Sequence, residues 1–217
     1  MANRPVFVPD SSAAHFVKTA QVEFTWYAGL SLAQKQRSIA SLHEAAKNCL
    51  PGLKILEISS KSPEPLGVHL SAFNLKLSVN GSKTCVETAF QSSKIFESGG
   101  PYIDLLHVTA REAKTDNRLK VSGNLVGFQY LGKKWPLEPK TAFYDWLYLS
   151  ALAENPELAN GLMQYDAFTD IEFNPERSIN CQASSAALYV FLVRNGMLNK
   201  MISDKASYLL EISQKHP

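Results

Sequence analysis

The sequence predicts a single α+β domain with more helix than strand, and three observations lead to this class. The 217 residues fit one large domain of ordinary size. With 45% hydrophobic and 19% charged residues, the chain can bury a core. Segments with helical periodicity cover more residues than those with alternating polarity, and no repeat, low-complexity run or linker divides them. We therefore expect one mostly helical domain over residues 1–217, with a small sheet.

Turn and cap residues mark the elements in the first half of the chain. Ser31 has a side chain that caps a helix N-terminus, and the pair Asn80-Gly81 favours a tight turn after a strand. Strands show as alternation of polar and apolar residues, and helices end at segments that contain glycine. The expected elements, in order, are a strand at 21–26, a helix from 31 to 52, strands at 54–59 and 75–79, and a helix from 84 to 100.

Similar signals organise the second half. Asn155-Pro156 supplies the N-cap and first-turn proline that begin a helix. Residues 139–154 are apolar on nearly every face, which predicts a central helix. The expected elements are strand, turn and strand over 118–131, helices at 139–154 and from 155 onward, a strand at 169–173, a buried helix at 178–195 and an amphipathic helix at 203–215.

Composition excludes several classes of protein. The longest apolar run, at 186–193, is far shorter than the ~20 residues that span a membrane. Residues 1–6 lack the apolar run of a signal peptide, so we expect a cytoplasmic protein without a membrane segment. Cys49, Cys85 and Cys181 are few and far apart, which suits a reducing compartment.

No metal or organic cofactor is indicated. His43-Glu44 begins like the zinc motif H-E-x-x-H, but Lys47 stands at the second ligand position and an ammonium cannot bind a cation. His43 is then expected on the solvent-facing side of an amphipathic helix. The P-loop, Rossmann and nucleophile-elbow motifs are absent, so kinases, dehydrogenases and standard esterases are poor interpretations.

Three polar residues of the helix expected from Thr84 are candidates for a binding edge. Glu87, Gln91 and Lys94 follow one another at i, i+4 and i+7 and therefore share a helix face. A carboxylate, an amide and an ammonium in a row can recognise a ribose. If Glu87 is catalytic, its place in the first turn favours the charged form, which suits a developing sugar cation. Thr84 and Glu87 also fit a capping box, which has a structural role only.

Further along the chain, four residues carry candidate chemistry. Alternation along the strand from 54 points Glu57, Ser59 and Lys61 to the same side. Lys61 is there expected to pair with a pyrophosphate or to form a Schiff base. The alternative is a solvated loop lysine. Asp170 and Glu172 are expected on one face of a strand. There they supply a second acid or accept hydrogen bonds from ribose hydroxyls, unless they are only the charges of an exposed edge strand. Trp135 either stacks on a base or packs its loop.

Positive charge concentrates between residues 107 and 140. Seven basic residues face three acidic ones there, a net charge of +4 within a chain of +2. Such a segment favours contact with phosphates, and it equally fits an ordinary solvated surface.

Two segments near the middle of the chain resemble the NADAR superfamily. Residues 70–75 read LSAFNL, and residues 86–94, after a strand and the turn at 80–81, read VETAFQSSK. The NADAR pattern is a serine–phenylalanine segment that leads into a strand, then a helix that reads roughly E-x-x-x-Q-x-x-K. Residues 155–163 and 170–172 stand where NADAR proteins carry a short helix and an acidic residue.

The resemblance covers residues 55–195 and extends to a branch of the superfamily. Residues 24–31 and 34–39 are similar to a bacterial branch encoded beside DarT-type toxins, which ADP-ribosylate guanine in DNA. The implied fold is NADAR-like, with residues 1–53 as an N-terminal extension packed on the domain. The implied activity is that of an antitoxin that hydrolyses the bond between ADP-ribose and modified guanine, without a cofactor or metal. The implied partners are ADP-ribosylated DNA and a cognate DarT-type toxin.

Joining the resemblance to the residue patterns gives two sets of candidate site residues. The catalytic set is Glu87, Lys61, Asp170 and Glu172, and the substrate-binding set is Ser71, Phe73, Asn74, Gln91, Lys94, Trp135 and Asn180. In this scheme a carboxylate stabilises the sugar cation and orients water.

Two other functions remain open at this point. Residues 180–183 read NCQA where family members carry W-G, which leaves a non-catalytic protein that binds ADP-ribose, a nucleotide or a toxin. The third interpretation is a glycosidase that acts on a small metabolite. The basic segment favours nucleic acid over a metabolite.

Overall fold

The computed structural model describes residues 1–176 and 178–214, which form an α+β domain. Its strands are β1 (Ala2–Pro9), β2 (Val17–Phe24), β3 (Ile55–Glu57), β4 (Lys76–Val79), β5 (Ser82–Cys85), β6 (Lys94–Phe96), β7 (Leu125–Tyr130), β8 (Lys133–Trp135) and β9 (Ala167–Thr169). Its helices are α1 (Leu32–Cys49), α2 (Pro65–His69), α3 (Val86–Ser92), α4 (Ala110–Thr115), α5 (Arg118–Val121), α6 (Ala142–Ala153), α7 (Pro156–Leu162), α8 (Gln182–Arg194), α9 (Leu198–Ser203) and α10 (Lys205–Gln214). The predicted α+β class is confirmed, although 45% helix against 20% strand makes the description "mostly helical" too strong.

Three small sheets organise the chain. The largest has the order β2-β1-β9-β3, in which β3 and β9 run parallel and the other neighbours run antiparallel. A hairpin joins β4 to β5, and β6, β7 and β8 form an antiparallel sheet. Residues 1–53 contribute β1, β2 and α1 and therefore share a sheet with β3 and β9.

Two hydrophobic clusters hold these layers. The smaller cluster packs α1 on the large sheet through Ile39 and Leu42, which contact the apolar face around Val6 and Phe24. The larger cluster surrounds α6 and α8, whose side chains are buried on most faces, as the predicted central helix requires.

The strongest local signals of the sequence are confirmed. Ser31 caps α1 by accepting a hydrogen bond from the Gln34 amide. Asn80-Gly81 forms the turn between β4 and β5, and both residues have positive φ angles, which this turn chemistry favours. Asn155 stands at the N-cap position of α7, immediately before its first-turn proline.

The helix expected from residue 84 to residue 100 is shorter than predicted. α3 ends at Ser92, and the hydroxyl groups of Ser92 and Ser93 both donate to the carbonyl of Ala89, at 3.0 and 2.7 Å. Such bonds compete with the helical ones. The chain then pairs with β7 as β6, an interaction between distant residues that the helical period does not reveal.

The strand expected at 169–173 is also wrong in part, because β9 ends at Thr169. Oδ1 of Asp170 accepts hydrogen bonds from the amides of Glu172 and Phe173, at 3.0 and 3.2 Å. An aspartate that binds the amides two and three residues ahead closes a turn. Asp170 and Glu172 therefore lie on a turn. The strand expected at 54–59 is also shorter than predicted, because β3 ends at Glu57, and Lys61 therefore does not lie on it.

Further boundaries differ where a polar side chain starts a helical turn. Asp116 accepts from the Arg118 amide at 2.8 Å, so the first predicted strand of 118–131 is the short helix α5. Asp204 accepts from the amides at the start of α10, so the predicted C-terminal helix begins at Lys205 rather than at Ser203. Its expected end at Lys215 lies outside the described residues. The helix expected at 178–195 begins later, at Gln182.

No strand was expected at residues 2–9, yet β1 is an interior strand of the large sheet. Pro5 and Pro9 lack amide hydrogens, and prolines argue against a strand in any pattern-based prediction. β1 nevertheless pairs along its whole length with β2, while its only registered partner in β9 is Phe168, opposite Phe7.

Candidate active site

A cleft of about 600 Å³ opens where β3 and β9 end, beside the first turns of α3 and α8. Because the two strands are parallel, the turns that follow them meet at one edge of the sheet. The volume lies in the range of small-molecule sites. Nine of the eleven residues chosen from the sequence line this cleft: Lys61, Ser71, Phe73, Glu87, Gln91, Lys94, Asp170, Glu172 and Asn180.

Trp135 and Asn74 do not line it. Trp135 is 4% exposed, and its ring lies 4.9 Å from that of Trp146 and 5.3 Å from that of Phe143, so the prediction that it stacks on a base is wrong and the packing alternative holds. The amide of Asn74 donates to the carbonyl of Val68 and the hydroxyl of Ser71, which places it in a turn rather than in the cleft.

Glu87 lies in the wall formed by α3 and is 6% exposed. Its Oε1 accepts a hydrogen bond from Nε2 of Gln91 at 2.9 Å and lies 3.8 Å from Nζ of Lys114. The capping-box alternative is wrong, because Cys85 holds the N-cap position without a side-chain bond to a helix amide, and the Thr84 hydroxyl donates to the Leu106 carbonyl. The carboxylate of Glu87 is therefore free of a cap and faces the cleft.

Lys94 reaches the cleft by a route that differs from the predicted one. It begins β6, so it is not on the same helix face as Glu87, but its Nζ lies 4.9 Å from the centre of the Phe90 ring. Burial lowers the pKa of the Lys94 ammonium, the charge of Glu87 raises it and the charge of Lys114 lowers it further. The chain thus places a largely desolvated cation at the side of the cleft.

A buried carboxylate, Glu57 at the end of β3, binds the turn that carries the acidic candidates. It is 1% exposed, and it accepts from the Thr169 hydroxyl at 2.6 Å and from the Ile171 amide at 2.8 Å. These bonds fix the first residues of the turn that presents Asp170 and Glu172 to the cleft.

The same carboxylate supports the turn that carries Lys61. Its partner in that turn is the side chain of Ser59, whose hydroxyl accepts from the Lys61 amide at 3.2 Å. A direct bond from the Ser60 hydroxyl to Glu172, at 3.0 Å, joins the two turns. One buried group therefore sets the positions of both candidate turns.

The acidic side of the cleft has an unusual electrostatic state. Burial first, and the charge of Glu57 second, raise the pKa of Asp170 well above its ordinary value. Burial likewise raises the pKa of Glu57, against the hydrogen bonds that stabilise its charge. Both causes disfavour the charged form of Asp170 relative to that of an exposed aspartate.

His43 is not a solvated helix residue, as was predicted, but the outer end of this network. Its Nε2 lies 2.8 Å from Oγ1 of Thr169, and the Thr169 hydroxyl donates to Glu57, so it accepts from His43. Burial, followed by the charge of Lys47, lowers the pKa of His43 to about 4. The helical pattern gave no sign of this contact, because its partner is 126 positions away in the sequence.

A family model described as DarT1-associated NADAR antitoxin matches residues 2–216. The chain belongs to this family. The resemblance read from the sequence is thereby confirmed, including its DarT-associated branch. No curated protein matches the chain in sequence.

Several residues of this antitoxin's cleft escaped the sequence analysis. Arg111 and Lys114 belong to the basic segment, which gave a regional signal without singling them out. Tyr144 lies within α6, where a helix that is apolar all round gives no reason to choose it. Gln182 accepts from the Ala72 amide and donates to the Ile58 carbonyl, both at 2.7 Å, and so ties α8 to two sides of the cleft.

The basic segment itself divides into parts with different partners. Lys114 lies 5.0 Å from the Phe73 ring at the cleft, whereas Arg118 binds Asp104 and Asp116 and is therefore already paired. Lys133 and Lys134 are exposed on β8, outside the cleft. Only the part around α4 meets the predicted site.

Two searches bear on other kinds of site. Over residues 1–176 and 178–214, no group of three or more histidine, cysteine, aspartate or glutamate residues is arranged to hold a metal ion. Within the same ranges, every helix is too short or too polar to cross a membrane.

Proposed function

We propose that the chain is an ADP-ribosyl N-glycosidase that removes ADP-ribose from modified guanine in DNA. One observation carries the proposal: two buried carboxyl groups, Glu87 and Asp170, face the same cleft but have neighbours of different charge. An amide and an ammonium accompany Glu87, whereas a second carboxyl group accompanies Asp170. Acid and base assignments follow when surroundings separate two carboxyl groups in this way.

Asp170 then acts as the acid. The bond between C1 of the distal ribose and the guanine nitrogen breaks, its electron pair goes to that nitrogen, and the nitrogen takes the proton of Asp170. The raised pKa of Asp170 supports this role, because the group must hold a proton at neutral pH. Guanine leaves with its normal structure restored.

Glu87 acts on the sugar. Its charge stabilises the cation that develops at C1, and it takes the proton of the water that attacks this carbon. Its position in the first turn of α3 adds the favourable field of a helix N-terminus. The overall reaction consumes one water and releases ADP-ribose, so the chemistry requires no cofactor.

The remaining residues bind the anionic and ribosyl parts of the substrate. Lys61, Arg111 and Lys114 line the cleft as partners for a pyrophosphate. Gln91 and Glu172 offer polar atoms to ribose hydroxyls. A second route runs through the ring-opened sugar: the Lys61 amine adds to C1, the guanine nitrogen leaves with a proton, and water hydrolyses the resulting Schiff base to ADP-ribose and free Lys61. Ser71, Phe73, Asn180 and Lys94 complete the proposed binding surface.

Release of free ADP-ribose from an oligonucleotide with a single ADP-ribosylated guanine tests the proposal. We expect turnover by the wild-type chain and none by a Glu87→Gln, Asp170→Asn double variant, with the unmodified oligonucleotide as the other product. Tight stoichiometric binding without release would instead support a non-catalytic binder, the function that the NCQA segment at 180–183 leaves open. Release from a small modified metabolite alone would support the third function.

The biological setting follows from the family and remains part of the proposal. The substrate is DNA marked by a cognate DarT-type toxin, and the antitoxin acts by reversing that mark. This places the activity in the cytoplasm, together with the DNA. Protection of cells from the toxin by the wild-type chain, and loss of protection in the Glu87→Gln variant, would test this setting.

A further inference from the structure

A second cavity of about 270 Å³ adjoins the cleft. Four residues line both spaces: Phe90, Lys94, Tyr144 and Asn180. A group bound in the second cavity would therefore touch the same side chains as a ligand in the cleft. Any occupant is most simply a part of the same substrate.

The walls of the second cavity suit a flat apolar ring. Phe128 and Phe143 lie on its inner side and are almost fully buried, with their ring centres 4.8 Å apart. Pro136 and Pro139 add rigid walls. Ile179, which is 63% exposed, lies at the mouth. Aromatic side chains bind nucleobases by stacking, whatever the base, because every base has a π face.

Two positively charged side chains line the second cavity. Lys94 lies at its junction with the cleft, and the exposed Lys140 lies at its rim. An apolar space between two cations matches a base that is joined to its neighbours through phosphate groups. Glu138 also lines the rim and accepts from the Lys140 amide at 3.0 Å, which is a contact with the backbone and leaves the Lys140 ammonium available.

We propose that this second cavity holds the base of the nucleotide next to the modified guanine in the DNA strand. The proposal rests on the proposed function, which puts ADP-ribose and the modified guanine at the larger cleft. A base enclosed by these side chains cannot remain paired with a complementary strand, so the substrate is single-stranded there or has its neighbouring base unstacked. The second cavity thus assigns a strand preference to the antitoxin.

Three substrates test the proposal: ADP-ribosylated guanosine as a nucleoside, a single-stranded oligonucleotide with the modified guanine, and the same oligonucleotide with an abasic site beside it. We expect the abasic site on one side to lower kcat/KM by at least ~10-fold, within the range that stacking of one base on aromatic side chains gives. Leu137, which is 37% exposed, lines the second cavity as Ile179 does. The Ile179→Ser and Leu137→Ser variants should lower kcat/KM for the intact oligonucleotide by a similar factor. They should lower it much less for the abasic oligonucleotide and the nucleoside.

Matched controls come from exposed residues away from both cavities. Ile103 is 58% exposed and Leu210 is 60% exposed, and neither lines the two spaces. Ile103→Ser and Leu210→Ser should leave the ratio between the oligonucleotide and the nucleoside at the wild-type value.

The outcomes separate this proposal from the proposed function. If the two cavity variants slow the nucleoside and the oligonucleotide by the same factor, the second cavity holds a part of ADP-ribose, such as its adenine, and the proposal is wrong. The proposal would also be overturned if an abasic site left kcat/KM unchanged both on the 5′ side and on the 3′ side of the modified guanine. If the wild-type chain releases no ADP-ribose from any substrate, the proposed function fails instead. The affinity of the chain for the same oligonucleotides, measured by fluorescence anisotropy, then shows whether the neighbouring base contributes to binding.

Discussion

Replacing Thr169 by valine tests whether the cleft depends on the buried carboxylate of Glu57. Thr169 is fully buried, and its hydroxyl donates to Glu57 at 2.6 Å and accepts from His43 at 2.8 Å. Valine has nearly the same shape but neither polar function. The variant therefore removes two hydrogen bonds without opening a large cavity.

The expected cost follows from those two bonds. A hydrogen bond to a charged group contributes about 1.5–3 kcal/mol and a neutral one about 0.5–1.5 kcal/mol, so the loss is about 2–4.5 kcal/mol of unfolding free energy. For a domain of this size, each kcal/mol shifts Tm by about 2–4 °C. We expect Tm to fall by roughly 4–18 °C, and urea denaturation to give a lower midpoint with an unchanged m value.

A matched control and a rescue make this prediction specific. Thr84→Val removes a single neutral bond of 3.4 Å to the Leu106 carbonyl and should cost less than about 1.5 kcal/mol. Thr169→Ser keeps the hydroxyl and should restore most of the turnover that Thr169→Val loses, because the turn at Asp170 is again held. A Thr169→Val variant within ~0.5 kcal/mol of wild type, with full turnover, would refute the role assigned to Glu57.

Four further predictions concern catalysis, charge and pH. Glu87→Gln should lower turnover at least ~100-fold while it leaves the unfolding free energy near wild type, since Glu87 caps no helix; a fully active variant contradicts its catalytic role. Borohydride added during turnover should trap an ADP-ribose adduct on Lys61, and Lys61→Arg should turn over poorly without being trapped; a near wild-type rate would limit Lys61 to electrostatic binding. Changing Lys133 and Lys134 together to alanine should reduce the salt dependence of kcat/KM on a single-stranded oligonucleotide by up to about 1.4 in log–log slope, and an unchanged slope would mean that they contact no phosphate. The folded pKa of His43, about 4, lies below its ordinary 6.5, so the stability that it contributes is complete above pH 6.5 and is lost as the pH falls toward 4. Urea denaturation at pH 7 and pH 5 should thus show a smaller pH effect in His43→Gln than in wild type, and equal effects would place the titration elsewhere.

The site could be predicted from the sequence further than the fold details could. The residue patterns were informative, because Glu87 and Lys94 stood out by their helical spacing and by their match to the NADAR pattern. Asp170 stood out by the alternation of its segment. Their local explanations were less successful. Lys94 reaches the cleft from a strand, and Asp170 from a turn, although both were expected on other elements.

Several of the errors share a physical cause, because they depend on contacts between residues distant in sequence. Trp135 was equally suited to a ligand and to the core, and only the pairing of β8 with β7 directs it inward. The contact of His43 with Thr169 has no local signal, and β1 became an interior strand despite its prolines. Caps and turns, by contrast, act within a few residues, which explains why Ser31 and Asn80-Gly81 were predicted correctly.

The hydrogen bonds around Glu57 give residues 1–53 a part in forming the cleft, although these residues lie outside the segment 55–195 that resembles the NADAR superfamily. β1 of this region pairs with β9, directly before the turn at Asp170. α1 supplies His43, which contacts the Thr169 hydroxyl, and Thr169 in turn binds Glu57. The N-terminal residues thus hold the strand end from which the acidic turn begins, rather than forming an independent attachment. A change in α1 that displaces His43 therefore acts on the cleft through two hydrogen bonds, without any contact with the substrate.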